Sequence, residues 1–140
     1  MNTANTNILT RGERNNNPGN INKNSIVWKG IAAVSTDIRF CTFKTAAYGI
    51  RAIGKLVSTY YHTYKLDTIA KIINRWAPPA ENNTNAYIKA VCNTCNLKAD
   101  DLITKLTPTI QMQLVKAIIT HENDRCIYTD TEIASALLII

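Results

Sequence analysis

The sequence predicts a mainly α chain: a bundle of helices with a small irregular β-element near its start. Three observations carry this prediction. Apolar residues recur at three-and-four spacing over residues 44–64, 69–76 and 108–122. Alternation is confined to the short stretch Ile38–Phe43. Prolines and capping threonines bracket the periodic segments, as in Thr107-Pro108 and Thr129-Asp-Thr-Glu132.

Residues 1–10 are polar and rich in Asn and Thr, and read as a mobile arm ahead of a single domain at 11–140. Arg11 to Ile21 then reads RGERNNNPGNI. Asn15, Asn16 and Asn17 before Pro18-Gly19-Asn20 are turn chemistry, because side-chain amides cap backbone groups and glycine permits positive φ. The same amides form a row of donors and acceptors suited to a sugar or peptide ligand. Residues 26–43 predict a small hairpin or irregular β-region. Trp28 within it fits a core position or a platform for a ligand ring.

Residues 44–64 form a helix by period, with Ala46, Ile50, Ile53, Val57, Tyr60 and Tyr64 on one stripe. Gly49 and Gly54 inside it cost about 1 kcal/mol each relative to Ala, which predicts close packing against a neighbour. Asp67 is a cap for the next helix, whose apolar stripe is Ile69, Ile72, Ile73 and Trp76 and whose stop is Ala77-Pro78-Pro79. A polar connector leads to a helix over Asn85–Cys95. Ala99–Leu106 is a short helix or turn. The capping box at Thr129 opens a last helix that runs into Leu137-Leu-Ile-Ile140.

The helix Pro108–Glu122, PTIQMQLVKAIITHE, holds the leading candidate for chemistry. Ile110, Leu114, Ile118 and Glu122 are spaced four apart, which carries the carboxylate onto the buried face. A carboxyl held there is pushed toward its neutral form, the state a general acid needs near neutral pH. The plainer reading is an end-of-helix Glu turned to water. Glu13, inside the amide-rich stretch, is the second candidate acid.

Bulk composition narrows the function classes. A 46% hydrophobic content is enough for a packed core in 140 residues. No apolar run approaches the roughly 20 residues of a membrane span. The N-terminal stretch is not a secretory signal, so action outside the cytoplasm would need another route of delivery. The net charge of +6 favours polyanionic partners. Its scattered placement weakens a nucleic-acid reading. Cys92-Asn-Thr-Cys95 is a lone CxxC without a second pair or histidines at ligand spacing, so no metal and no cofactor are expected.

Several stretches together carry a resemblance: RGERNNNPGNI (11–21), WxG (28–30), FxTxxxGIRA (43–52), IIxRWAPPxENxTxxY (72–87), KAIIxHEN (116–123) and Tyr128. They resemble a family of small phage and prophage proteins, described as virion proteins or cell-wall lysins of the lysozyme-like superfamily. The match spans almost the whole chain. It implies an α+β lysozyme-like fold with a cleft between the helices and the β-region. It also implies cleavage of the MurNAc-GlcNAc β-1,4 bond of peptidoglycan in the periplasm, by a lytic transglycosylase or muramidase.

AIITHE (117–122) is similar to the stretch that ends in the catalytic Glu of goose-type lysozymes and lytic transglycosylases. NNNPGNI resembles a cleft segment that in bacterial glucosaminidases follows the acid, whereas here it precedes Glu122 by about a hundred residues. Two arrangements are open. The fold is circularly permuted with Glu122 as the acid, or the order is conventional with Glu13 as the acid; the helical stripe favours Glu122. The resemblance further implies that Asn15, Asn16, Asn17 and Asn20 bind N-acetyl and hydroxyl groups, and that Trp76, Tyr87 or Tyr128 stack on sugar faces. Glu81 is the best candidate for a second carboxylate. The scarcity of others favours the transglycosylase, which needs one acid/base residue. Peptidoglycan and other virion proteins are the expected partners. The rival class is an inert virion protein that only binds wall.

Overall fold

The structure, a computed structural model, describes residues 8–140. It is mainly helical, as the periodicity predicts, with six helices among the described residues: α1 (Arg11–Arg14), α2 (Ala46–His62), α3 (Ile69–Trp76), α4 (Thr84–Cys95), α5 (Pro108–Asn123) and α6 (Asp130–Leu137). The expected arm lies outside the described residues for positions 1–7. Ile8, Leu9 and Thr10 are tied down: Arg125 donates to Ile8 O, Arg14 to Leu9 O, and Thr10 Oγ1 to Asn123 Oδ1 at 2.6 Å.

α5 is the central helix and packs against α1, α2, α4 and α6. Its stripe of Leu114, Val115, Ile118 and Ile119 is fully buried. Each such side chain contributes about 2 kcal/mol on leaving water. Thr107 caps its first turn by accepting from Ile110 N, with proline at N1, and Asp124 ends it in the left-handed region. Ile50, Ile53 and Val57 of α2, Ile69, Ile72 and Ile73 of α3, Tyr87 and Val91 of α4, and Ile133 of α6 complete the core.

The close approach expected at the two glycines of α2 is present. A Cβ on Gly49 would lie 1.9 Å from Asn16 O, and one on Gly54 would lie 2.4 Å from Leu137 Cδ2. At these two places α2 admits the N-terminal segment and α6 against its backbone.

Several local expectations are corrected. The stretch around Glu13 is the short helix α1, opened by a capping box in which Thr10 Oγ1 accepts from Glu13 N and Glu13 accepts from Thr10 N. The Thr10-x-x-Glu13 spacing is the signature of that box. α3 is capped by Thr68 rather than Asp67, which instead pairs with Lys71 one turn on. Of the short helix or turn expected over 99–106, the turn is what forms: Asp101 N donates to Lys98 O, its carboxylate accepts from Lys98 N, and Ile103 N donates to Asp67 O, holding the segment against the start of α3. α6 stops at Leu137, the first residue of the C-terminal apolar run.

The β-region is irregular and forms no hairpin. Two isolated antiparallel bridges, Asn22 with Phe40 and Ile31 with Phe43, are its regular pairing. Side chains do the work of the missing ladder. Asp37 accepts from the backbone of Arg39 and Phe40 and from the side chains of Arg11 and Asn15. These donors hold its carboxyl far below the usual range, the Arg11 guanidinium foremost. All four cysteines are free thiols. Cys92 and Cys95 lie at the end of α4, and burial pushes the Cys95 thiol up to about 11.

Candidate functional site

Glu122 is on the last turn of α5, one turn beyond Ile118, and is half-buried. The stripe predicted a dry carboxylate. Instead, both oxygens are solvated by protein donors. Asn20 Nδ2 donates to Oε1 at 3.1 Å and Tyr87 OH donates to Oε2 at 2.9 Å. Each oxygen keeps a second lone pair for a ligand.

The two donors reach Glu122 by different routes. Asn20 follows Pro18-Gly19 in the left-handed region, with φ of 49°, which turns its side chain away from the loop interior toward α5. Its Oδ1 is buried without a partner, so the bond to Glu122 is what fixes the amide. Tyr87, on α4, is 2% exposed. Its ring stacks on His121, with centroids 3.8 Å apart. Burial, followed by the charge of Glu122, raises the Tyr87 pKa well above the ordinary phenol range. The hydroxyl therefore stays protonated and available as a donor at any physiological pH.

Glu122 opens into a groove of about 440 Å³. One side comes from the irregular segment, with Gly19, Asn20, Asn22, Arg39 and Phe40. The other comes from α2, α3 and the connector after α3, with Leu56, Tyr60, Trp76 and Glu81. The two acidic side chains among the lining residues are Glu122 and Glu81. Glu81 is exposed. Trp76 is half-buried and does double duty, packing on the core and forming groove wall.

The other expected site residues are placed elsewhere. Glu13 is 5% exposed and gripped by Arg125, which donates from Nε to Oε2 at 2.9 Å and from Nη2 to Oε1. The Arg125 hydrogen bond outweighs burial and lowers the Glu13 pKa, the opposite of what a general acid requires. Tyr128 does not line the groove. It lies half-buried in the neighbourhood of Glu13, and burial pushes its phenol up to about 12.

Of the four asparagines, three spend their amides on the fold. Asn17, fully buried, donates to Ile21 O and Cys41 O and accepts from Ile21 N. Asn15 donates to Asp37 and accepts from Thr36 Oγ1. Asn16 donates to Phe43 O and sits at φ 51° over Gly49. Asn20 alone of the four is both in the groove and on the acid.

Two elements of the candidate site escaped the sequence. Asn123, next to Glu122, is buried and joins the end of α5 to the N-terminal segment: Nδ2 donates to Pro18 O at 2.8 Å and Oδ1 accepts from Thr10. It thereby sets the Pro18-Gly19 turn that delivers Asn20. Arg39 and Tyr60 line the groove although neither belongs to a catalytic spacing. The aromatic step in Arg39-Phe40 was the available cue.

No family model matches the chain. It is similar to "Protein P5" of Pseudoalteromonas phage PM2, with 38% identity over 130 residues, covering 91% of this chain and 79% of that protein.

Proposed function

The chain belongs to the family of protein P5 of Pseudoalteromonas phage PM2 and is of bacteriophage type, and on that premise we propose that it cleaves the MurNAc-GlcNAc β-1,4 bond of peptidoglycan with Glu122 as general acid and base. The observation that carries this reading is one carboxylate, half-buried at a helix end, held on both oxygens by neutral donors and open to a groove. In the proposed reaction Glu122 protonates the glycosidic oxygen as the bond breaks and positive charge grows at C1. The tyrosine hydroxyl is suited to both states of the acid. It donates to the carboxylate and, by rotating, accepts from the carboxylic acid.

The lysozyme-like relation and its circular permutation belong to the same proposal. It is supported by the hydrogen bond from Asn20 to Glu122, which sets the amide-rich loop beside an acid 102 residues later in the chain. Glu122 then acts as base. In a lytic transglycosylase it takes the proton of the substrate's own C6 hydroxyl, which closes on C1. In a muramidase it takes the proton of water, with Glu81 the carboxylate available on the same groove. A single well-held acid favours the transglycosylase.

The test is E122Q on purified murein. Clearing of turbidity should vanish while Tm stays within about 2 °C of the parent, since the amide fills the same space. An anhydro end in the wild-type product identifies the transglycosylase, and a reducing end the hydrolase. Retention on murein without any new ends would make the protein a wall-binding virion component. Cleavage by E122Q at the parental rate, with loss in E13Q, would move the acid to α1. Among the described residues no helix is long and apolar enough to cross a membrane.

A further inference from the structure

One arginine lines the groove and a second is seated on an aromatic ring that lines it. Arg39 is itself a lining residue. Its guanidinium carbon is 5.0 Å from the Phe40 ring centroid, and its Nε donates to Asn22 Oδ1 at 3.2 Å. Arg75 lies 5.4 Å from the centroid of Tyr60 and 4.1 Å from that of Tyr64. Tyr60 lines the groove, so Arg75 meets it through that ring and through Trp76, its neighbour in the chain; Arg75 itself lines a second depression of about 630 Å³ with Lys71 and Asn74.

Both arginines are exposed, and neither takes part in an ion pair among the described residues. Arg11 is the contrast. It also lies over Phe40, at 4.5 Å, but its fork is spent on both oxygens of Asp37. Stacking fixes a guanidinium plane without neutralising it. Such a fork retains N–H donors matched to a carboxylate.

We propose that the groove recognises an anionic glycan strand, with Arg39 and Arg75 pairing carboxylates borne by the strand's lactyl-peptide substituents. This rests on the reading of the groove as a peptidoglycan-cleaving site and adds which feature of the strand it selects. A neutral N-acetylglucosamine polymer fills the same sugar positions but leaves both arginines facing water. A peptide-bearing strand satisfies them on two walls at once. Attraction of this kind is long-range and salt-sensitive, in keeping with the net charge of +6.

The experiment measures binding by the full-length E122Q protein to three probes: soluble peptide-bearing murein strands, chitohexaose and a single-stranded oligonucleotide. The peptide-bearing strand should bind about tenfold more tightly than chitohexaose at low salt, and the advantage should shrink as salt is raised. In that background R39Q and R75Q should each weaken the peptide-bearing strand about threefold, and the double variant about tenfold, with chitohexaose unchanged. R39K and R75K should retain most of the binding, and parental melting curves for all five variants separate lost charge from lost fold.

Equal affinity for charged and neutral strands, or arginine variants that bind like the parent, overturns the proposal. So does an oligonucleotide that binds more tightly than the strand through the same arginines. Cleavage by the wild type is scored separately. Murein cleavage with no arginine effect sinks this inference alone. Arginine-dependent strand binding with no cleavage sinks the enzymatic reading alone.

Discussion

The phenol of Tyr87 and the carboxylate of Glu122 are joined across α4 and α5 by a hydrogen bond of 2.9 Å. The bond couples a residue that cannot leave the core to one that faces the groove. Stacking on His121 fixes the ring from its other side, so the hydroxyl meets the acid at a set angle. Y87F keeps the packing and removes the donor. We expect kcat on murein to fall about tenfold with KM nearly unchanged, because the loss touches the acid rather than the glycan. Buried and stacked on His121, Tyr87 is not free to stack on a sugar face as expected, and intact kcat in Y87F would remove it from the support of the acid as well.

The pair of Glu13 and Arg125 predicts a pH dependence of stability. The folded Glu13 carboxyl titrates below its unfolded value of 4.5, chiefly through the Arg125 hydrogen bonds. Its contribution is therefore fully present above that unfolded value and is lost as pH falls through the lower, folded one. The wild-type Tm should drop on acidification below about pH 4.5, and E13Q should reduce that slope, leaving the part that the depressed Asp37 carboxyl contributes. The check is a series of melting curves from pH 6 to pH 2.5. A slope unchanged in E13Q would remove Glu13 from the pH dependence.

Asn17 separates a structural amide from a ligand-binding one. N17A removes three side-chain hydrogen bonds and takes the Asn17 partner from the buried Ile21 amide and Cys41 carbonyl, while Ile21 O keeps its bond from Cys41 N. A cost of about 3 kcal/mol is expected, read from the denaturant midpoint at unchanged m. An N17A protein of parental stability with weakened murein binding would return Asn17 to the ligand site. N20A should do the reverse, with small loss of stability and large loss of activity.

G49A tests the seat of the N-terminal segment on α2. The added Cβ would meet the carbonyl oxygen of Asn16, which is backbone and cannot swing aside. About 3 kcal/mol of destabilisation, or about 10 °C in Tm, is expected. Gly54 is the control, because its Cβ would first meet Cδ2 at the end of the half-buried Leu137 side chain. G54A should cost clearly less in the same thermal melt.

Five of the six helices among the described residues, and most of their ends, were determined by the sequence alone; the short α1 was not. Apolar spacing, Pro108 at N1 and the box at Thr129 act through neighbours three or four residues away, and such information is written in the local order of residues. Glu122 was legible for the same reason, as the next step of a four-residue stripe. The fate of the amides was not. Asn17 and Asn20 are alike in type and only three apart, yet one is sealed among backbone carbonyls and the other meets the acid.

What divides them is decided by contacts that only the folded chain makes. Asn123 holds Pro18 from 105 residues away, Arg125 neutralises Glu13 from 112, and the positive φ of Asn20 aims its side chain at α5. Side-chain direction at such positions depends on partners distant in sequence. The pattern of residue types could therefore nominate Glu13, Glu122 and four asparagines, and tertiary packing alone could choose among them.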